Sequence, residues 1–171
     1  REDMQIELTE IQRQIGITTV LVTHDQHEAL SMSDTVVLMR EGSIEQVGTP
    51  EDLYAAPESP YVAEFIGASN LLEVDVVESA DGVHGVLPSG DRIPVADGTR
   101  PGRTMLVLRQ ERFTVGEPVG SAQLPVEVRA RVFRGGDLQL VVAHEDTEYK
   151  VVLPFGSPLR PGDTTHISWS P

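Results

Sequence analysis

The sequence predicts an α+β chain, with a mixed α/β-type segment over residues 1–69 and an all-β barrel over residues 70–171. Three observations predict it. Met4, Leu8, Ile11 and Ile15 recur at helical spacing. Two β-branched apolar runs, 18–22 and 35–39, read as strands buried on both faces of a parallel sheet. From residue 71 onward, short strand-like runs are separated by turns rich in Gly, Pro and Asp, as in a small antiparallel barrel.

The elements follow in order. The first helix ends at Gly16, which suits a left-handed C-cap. The run 18–22 leads into Thr23, His24 and Asp25, and residues 26–32 read as a short helix. After the run 35–39, Glu41 and Gly42 read as a hairpin turn into a strand at 43–47. Thr49-Pro50-Glu51-Asp52 is a helix start: Thr49 caps, Pro50 fits the first turn, and the two acids favour the positive end of the dipole. That helix covers 51–56 and stops at Pro57; another covers 61–66 and ends at Gly67. Ala68-Ser69-Asn70 is the expected boundary. Strands are then expected at 71–78, 83–87, 105–108, 112–115, 124–134, 138–144, 148–153 and 165–169. Val126, Val128, Ala130 and Val132 alternate with polar residues and should face the core, with Gly135-Gly136-Asp137 as the following turn.

Composition excludes several functions. The 171 residues contain no Cys, so there are no disulfides and no thiolate chemistry. The net charge of -14 disfavours non-specific binding to nucleic acid or anionic lipid. No apolar run approaches the roughly 18 residues of a membrane span. The start, Arg1-Glu2-Asp3, does not read as a secretory signal, and with no initiator Met the chain is expected to begin within a longer protein.

His24 is the candidate functional residue. It directly follows an apolar strand, and open α/β sheets bind ligands beyond the carboxyl ends of their strands. A histidine there can donate a hydrogen bond to phosphate oxygen; the plainer alternative is a turn histidine with a structural partner. His24 and His27 have no evident third ligand, so no metal site is expected.

Val22-Thr23-His24-Asp25-Gln26, then Glu28-Ala29-Leu30 and Ser33-Asp34, resembles the switch-histidine loop of ABC ATPases. Gly42-Ser43-Ile44-Glu45-Gln46-Val47-Gly48-Thr49-Pro50 is similar to the hairpin and helix start that follow that loop in ABC importers. Phe65-Ile66-Gly67 with Asn70-Leu71-Leu72 resembles their linker into a C-terminal regulatory domain. The resemblance implies the C-terminal remnant of an ABC ATPase domain followed by an OB-like, TOBE-type regulatory domain. It implies that His24 contacts the terminal phosphate of ATP and helps hold the attacking water, while Asp25 and Gln26 shape the loop. It also implies ATP and Mg2+ as cofactors of the full-length protein. The implied partners are a second copy of the subunit, transmembrane permease subunits and, indirectly, a solute-binding protein. The implied place is the cytoplasmic face of the bacterial inner membrane. The branch serves polyamines, iron, sugars and anions, and Gly67-Ala68-Ser69-Asn70-Leu71-Leu72 leans toward polyamines.

These 171 residues hold no G-x-x-x-x-G-K-[ST] loop, no Gly-rich signature sequence and no apolar strand ending in Asp-Glu. The chain alone is therefore expected neither to bind ATP tightly nor to hydrolyse it, and to carry no cofactor. The two apolar strands near its start would lack neighbours, so residues 1–67 should be poorly stable or covered by another copy.

In the second half, Leu108-Arg109-Gln110-Glu111-Arg112 resembles an Arg-Pro-Glu-Arg motif of the regulatory domain, with Gln110 in place of Pro. Its charges read as a ladder across strands. Arg129, Arg131 and Arg134 read as a solvated strand face, with an anion-binding stripe as the alternative. A stand-alone module sensing a small anion is accordingly the second functional reading. Scattered aromatics and the acidic balance predict no nucleic-acid binding. His84, His144 and His166 have no ligand-like spacing.

Overall fold

The computed structural model describes residues 2–67, 69–80, 82–96, 98–116 and 123–170. Contacts divide the chain into two units, Arg1–Gly67 and Ala68–Pro171. Ala68, part of the expected boundary, lies outside the described residues.

In the first unit, α1 spans Glu2–Ile15. Gly16 then takes φ 70° and donates its N–H to the Gln12 carbonyl at 2.9 Å, the left-handed stop expected of it. The segment 17–23 departs from expectation. It forms no strand, and Val20 and Val22 are 84% and 91% exposed. A strand inside a sheet needs a hydrogen-bonded neighbour on each side, and no described strand pairs with this segment.

α2 (Gln26–Met32) follows. β1 (Val36–Arg40) and β2 (Ser43–Gly48) then pair antiparallel, turned by Glu41 at φ 50° and Gly42 at φ 83°. Two successive positive φ angles match the twist of a tight hairpin. β1 is buried on one face only: Val36 and Leu38 are inside, Val37 and Met39 outside. The expected two-sided burial fails because no second layer of the described chain covers that face.

α3 (Pro50–Ala55) starts in a full capping box, with Thr49 accepting from the Asp52 N–H and Asp52 accepting from the Thr49 N–H. α4 (Pro60–Phe65) is capped by Ser59. Leu53, Val62 and Ile66 pack on Val36 and Leu38 to form a small core. Gln46, buried on β2, holds the α3–α4 turn by donating to the Ala56 carbonyl and accepting from the Glu58 N–H.

The second unit is all β. β3 (Ser69–Ser79), β4 (Gly82–Val86), β5 (Arg92–Pro94) and β6 (Gly102–Arg109) form one antiparallel sheet in the order β5-β4-β3-β6. β7 (Thr114–Val115), β8 (Gln123–Phe133), β9 (Asp137–His144), β10 (Thr147–Pro154) and β11 (Thr164–Ser168) form the other, in the order β10-β9-β8-β11-β7. The two sheets share one core, in which Val74, Ile93, Leu124, Val142 and Ile167 are almost wholly buried. β5 escapes the sequence pattern, being three residues long with a Pro. It lies close over Gly85, where a Cβ would stand 3.1 Å from Ile93 Cγ1 and Val95 Cγ1.

β8 begins with the expected alternation, burying Leu124, Val126 and Val128. Its register then shifts, with Val128 opposite Val142 but Ala130 opposite Val141. Arg129 is the extra residue of a bulge, and a bulge turns the following side chains. Val132, expected inside, is therefore 48% exposed. No helix of the described residues is long and apolar enough to cross a membrane.

Candidate functional site

His24 is exposed and lies between the extended segment 17–23 and the first turn of α2. Both its neighbours are tied to that turn. Thr23 Oγ1 donates to Glu28 Oε2 at 2.8 Å and accepts from the Asp25 N–H at 3.0 Å. Asp25 caps α2, its Oδ1 accepting from the His27 N–H at 2.9 Å and more weakly from the Glu28 N–H at 3.4 Å. The backbone on either side of His24 is thus fixed by α2 rather than by a strand, and the imidazole is presented outward. Such a donor fits an anionic oxygen.

Asp25 does shape this loop. Gln26 is the first residue of α2. Glu28 and Thr23 are supports that sequence reasoning passed over, although the Asp25-x-x-Glu28 spacing carries the signal of a capped helix start. His27 is exposed on α2, and its carbonyl accepts from Ser31 Oγ at 2.6 Å. Among the described residues no group of three or more His, Asp or Glu side chains could hold a metal ion.

In the second unit the polar residues work between strands. Asn70 on β3 reaches β10, where Nδ2 donates to the Lys150 carbonyl at 2.8 Å and Oδ1 accepts from the Lys150 N–H at 2.7 Å. The segment expected to run as a charge ladder across strands takes another backbone form. Gln110–Arg112 is a single 3-10 turn, Arg109 is buried with Nη1 donating to Ser69 Oγ, and buried Gln110 accepts from Gln139 Nε2 at 2.6 Å. The turn breaks the period-two geometry that a ladder requires.

Of the three arginines, Arg129 pairs with Glu127 at 2.8 Å on an exposed face, a contact that contributes little in water. Arg131 Nε is buried without a hydrogen-bond partner. A surface depression of this unit, about 360 Å3, is lined by Pro125, Val126, Thr164, Thr165 and His166 and not by the arginine row.

Two features had no sequence signal. Tyr149 is fully buried, edge-on to Phe113, with no partner for its hydroxyl, and burial pushes its phenol up to about 12. His144, at the end of β9, bonds Asp91, 53 residues away, with Nε2 2.7 Å from Asp91 Oδ2. Nothing in the spacing of either residue announces the pair.

The chain thus presents a histidine beside a capped helix and carries a two-sheet β unit after it, and known proteins share parts of its sequence. Residues 106–171 match the TOBE domain. The spermidine/putrescine import ATP-binding protein PotA of Nitratidesulfovibrio vulgaris is 34% identical over 99% of this chain and 50% of its own length. The proteins of the same name from Rubrobacter xylanophilus and Acidothermus cellulolyticus are 36% and 37% identical over 99% and 100% of the chain, and over 47% and 48% of their own lengths. The chain therefore matches the C-terminal part of ABC importer ATP-binding subunits, and it spans about half the length of these relatives. Among solved structures, the cytoplasmic molybdate-binding protein ModG, with molybdate bound, aligns with a TM-score of 0.51 at 15% identity. That alignment covers 57% of this chain and 87% of ModG. At that identity the likeness concerns the fold alone, an OB-like β arrangement.

Proposed function

We propose that the chain is the C-terminal half of the ATP-binding subunit of an ABC-type importer, which couples ATP hydrolysis to solute uptake. The observation that carries this reading is the alignment of nearly the whole chain, at 34–37% identity, with proteins named for that role. Residues 1–69 are then the end of the ATPase domain, and residues 70–171 the regulatory domain. The relatives' names make a polyamine the proposed cargo. The subunit pairs with a second copy and works with transmembrane permease subunits at the cytoplasmic face of the bacterial inner membrane. A solute-binding protein acts on it indirectly.

In this reading His24 donates a hydrogen bond to the terminal phosphate of ATP and helps orient the attacking water. Phosphoryl transfer is accelerated mainly by positioning and by stabilising charge, so one well-placed donor has a large effect. Thr23, Asp25 and α2 hold that donor in place. Mg2+ neutralises phosphate charge when bound, and no residue of this chain is assigned to it. Without a phosphate-binding loop in its 171 residues, the chain alone does not turn ATP over.

Steady-state ATP hydrolysis by the full-length subunit, with and without His24→Ala, tests the assignment. The substitution is expected to lower kcat about 100-fold, the typical effect of removing one transition-state donor, with KM for ATP little changed. Unchanged turnover would remove His24 from the mechanism.

A further inference from the structure

His144 stands at a junction of three chain segments in the second unit. It closes β9, where the β8–β9 register ends at Glu127 opposite Ala143. Beyond that last pair, the Pro125 carbonyl lies 2.8 Å from His144 Nδ1. On the other side of the ring, Nε2 meets Asp91 Oδ2, in the turn between β4 and β5. The imidazole therefore joins the five-stranded sheet to a turn of the four-stranded one.

Both ring nitrogens face oxygens that only accept. A neutral imidazole carries one N–H and one lone pair, so it satisfies one of these contacts and sets a lone pair against the other. Only the imidazolium makes both. The carboxylate is itself prepared for a cation. Ser89 Oγ donates to Asp91 Oδ2 at 2.6 Å, and the turn is closed by Leu87 N–H to the Asp91 carbonyl and Gly90 N–H to the Leu87 carbonyl.

We propose that His144 and Asp91 form a pH-dependent clasp between the two sheets, tight when His144 is protonated and makes both contacts, and loosened when it is neutral and keeps only one. The other groups acting on the pair are Glu145, beside His144 in the β9–β10 turn, and Tyr149 on β10, whose phenol feels the Asp91 charge. Pro125 on β8 brings only its carbonyl. Glu145 favours the cation, and a neutral Tyr149 does not oppose it.

The direction of titration agrees. Burial pulls His144 down, but the Asp91 hydrogen bond, the Pro125 carbonyl and the charges of Asp91 and Glu145 carry it above its ordinary 6.5. The Ser89 and His144 hydrogen bonds hold Asp91 below its ordinary 3.8. For His144 the stability gained is complete below 6.5 and is lost as pH rises through the raised value. For Asp91 it is complete above 3.8 and is lost as pH falls through the lowered value. The clasp is thus firmest between 3.8 and 6.5 and loosens on the alkaline side.

The test has two parts, both on the whole 171-residue chain. First, His144 is titrated by NMR in the native chain and in Asp91→Asn. It should titrate above the free imidazole in the native chain and fall back in the variant. A native value at or below that of free imidazole would overturn the clasp. Second, the melting temperature of the second unit is compared for the native chain and His144→Gln at about pH 5.5 and pH 8. The native advantage should be roughly 4–8 °C at the lower pH and shrink at the higher. An advantage equal at both pH values would overturn it. If His144→Gln does not fold, the NMR titration decides alone.

Discussion

Asn70 shows how one side chain can stand in for a strand. β10 is the outer strand of its sheet, and the backbone of Lys150 faces away from β9's ladder. The Asn70 amide presents a donor and an acceptor spaced like a peptide group, and it takes both backbone groups of Lys150. Asn70 is itself 7% exposed, so water cannot easily replace it. Asn70→Ala should therefore leave an unsatisfied pair and cost about 2–3 kcal/mol. A urea titration followed by tryptophan fluorescence reads this through Trp169, which is buried in the same core; the expected result is a lower midpoint with an unchanged slope. In the sequence Asn70 stands out only within Asn70-Leu71-Leu72. Its partner is 80 residues away, a distance at which spacing carries no information. The same holds for the Gln110–Gln139 bond and for His144 with Asp91. His24 differs because its surroundings are local, within five residues, so the Asp25-x-x-Glu28 spacing carries a signal for them.

Elements set by adjacent residues follow the sequence closely. The Gly16 stop, the Glu41-Gly42 turn and the Thr49 capping box each depend on a few neighbouring positions. In the capping box the Thr49 side-chain and backbone hydrogen bonds hold Asp52 below its ordinary carboxylate value. Thr49→Ala removes the hydroxyl that accepts from the Asp52 N–H, while the Asp52 carboxylate still receives the N–H of residue 49. The expected loss is about 1 kcal/mol for the first unit, measurable as faster amide exchange in α3. Elements that need distant partners are less legible. The run 18–22 has the composition of an inner strand, yet composition states only what a segment suits, and the ladder partners are not among the described strands. The bulge at Arg129 is hidden for a similar reason. An unbroken alternation from Val126 to Val132 describes a straight strand, whereas the register of β9 inserts the extra residue.

At the scale of the molecule the two units have unequal cores. Among the described residues, sixteen buried apolar side chains form the core cluster of the second unit, against five in that of the first, so the second has far more burial to set against chain entropy. The first unit also exposes much of Met4, Leu8, Ile11, Ile15, Val20 and Val22, apolar surface that its own core leaves uncovered. A helix with this spacing and a run with this composition suit a covering layer, in keeping with the proposed end of a longer ATPase domain. The unit sits near the size at which a domain is marginal even with a full core. Hydrogen–deuterium exchange should therefore separate the two units sharply. Amides of β1, β2, α3 and α4 are expected to exchange at least about 100-fold faster than those of β8, β9 and β10, because local opening costs less where few side chains must be exposed. Equal protection would mean that the exposed apolar face is covered in solution. A mass measurement on the same sample would then show whether a second copy covers it.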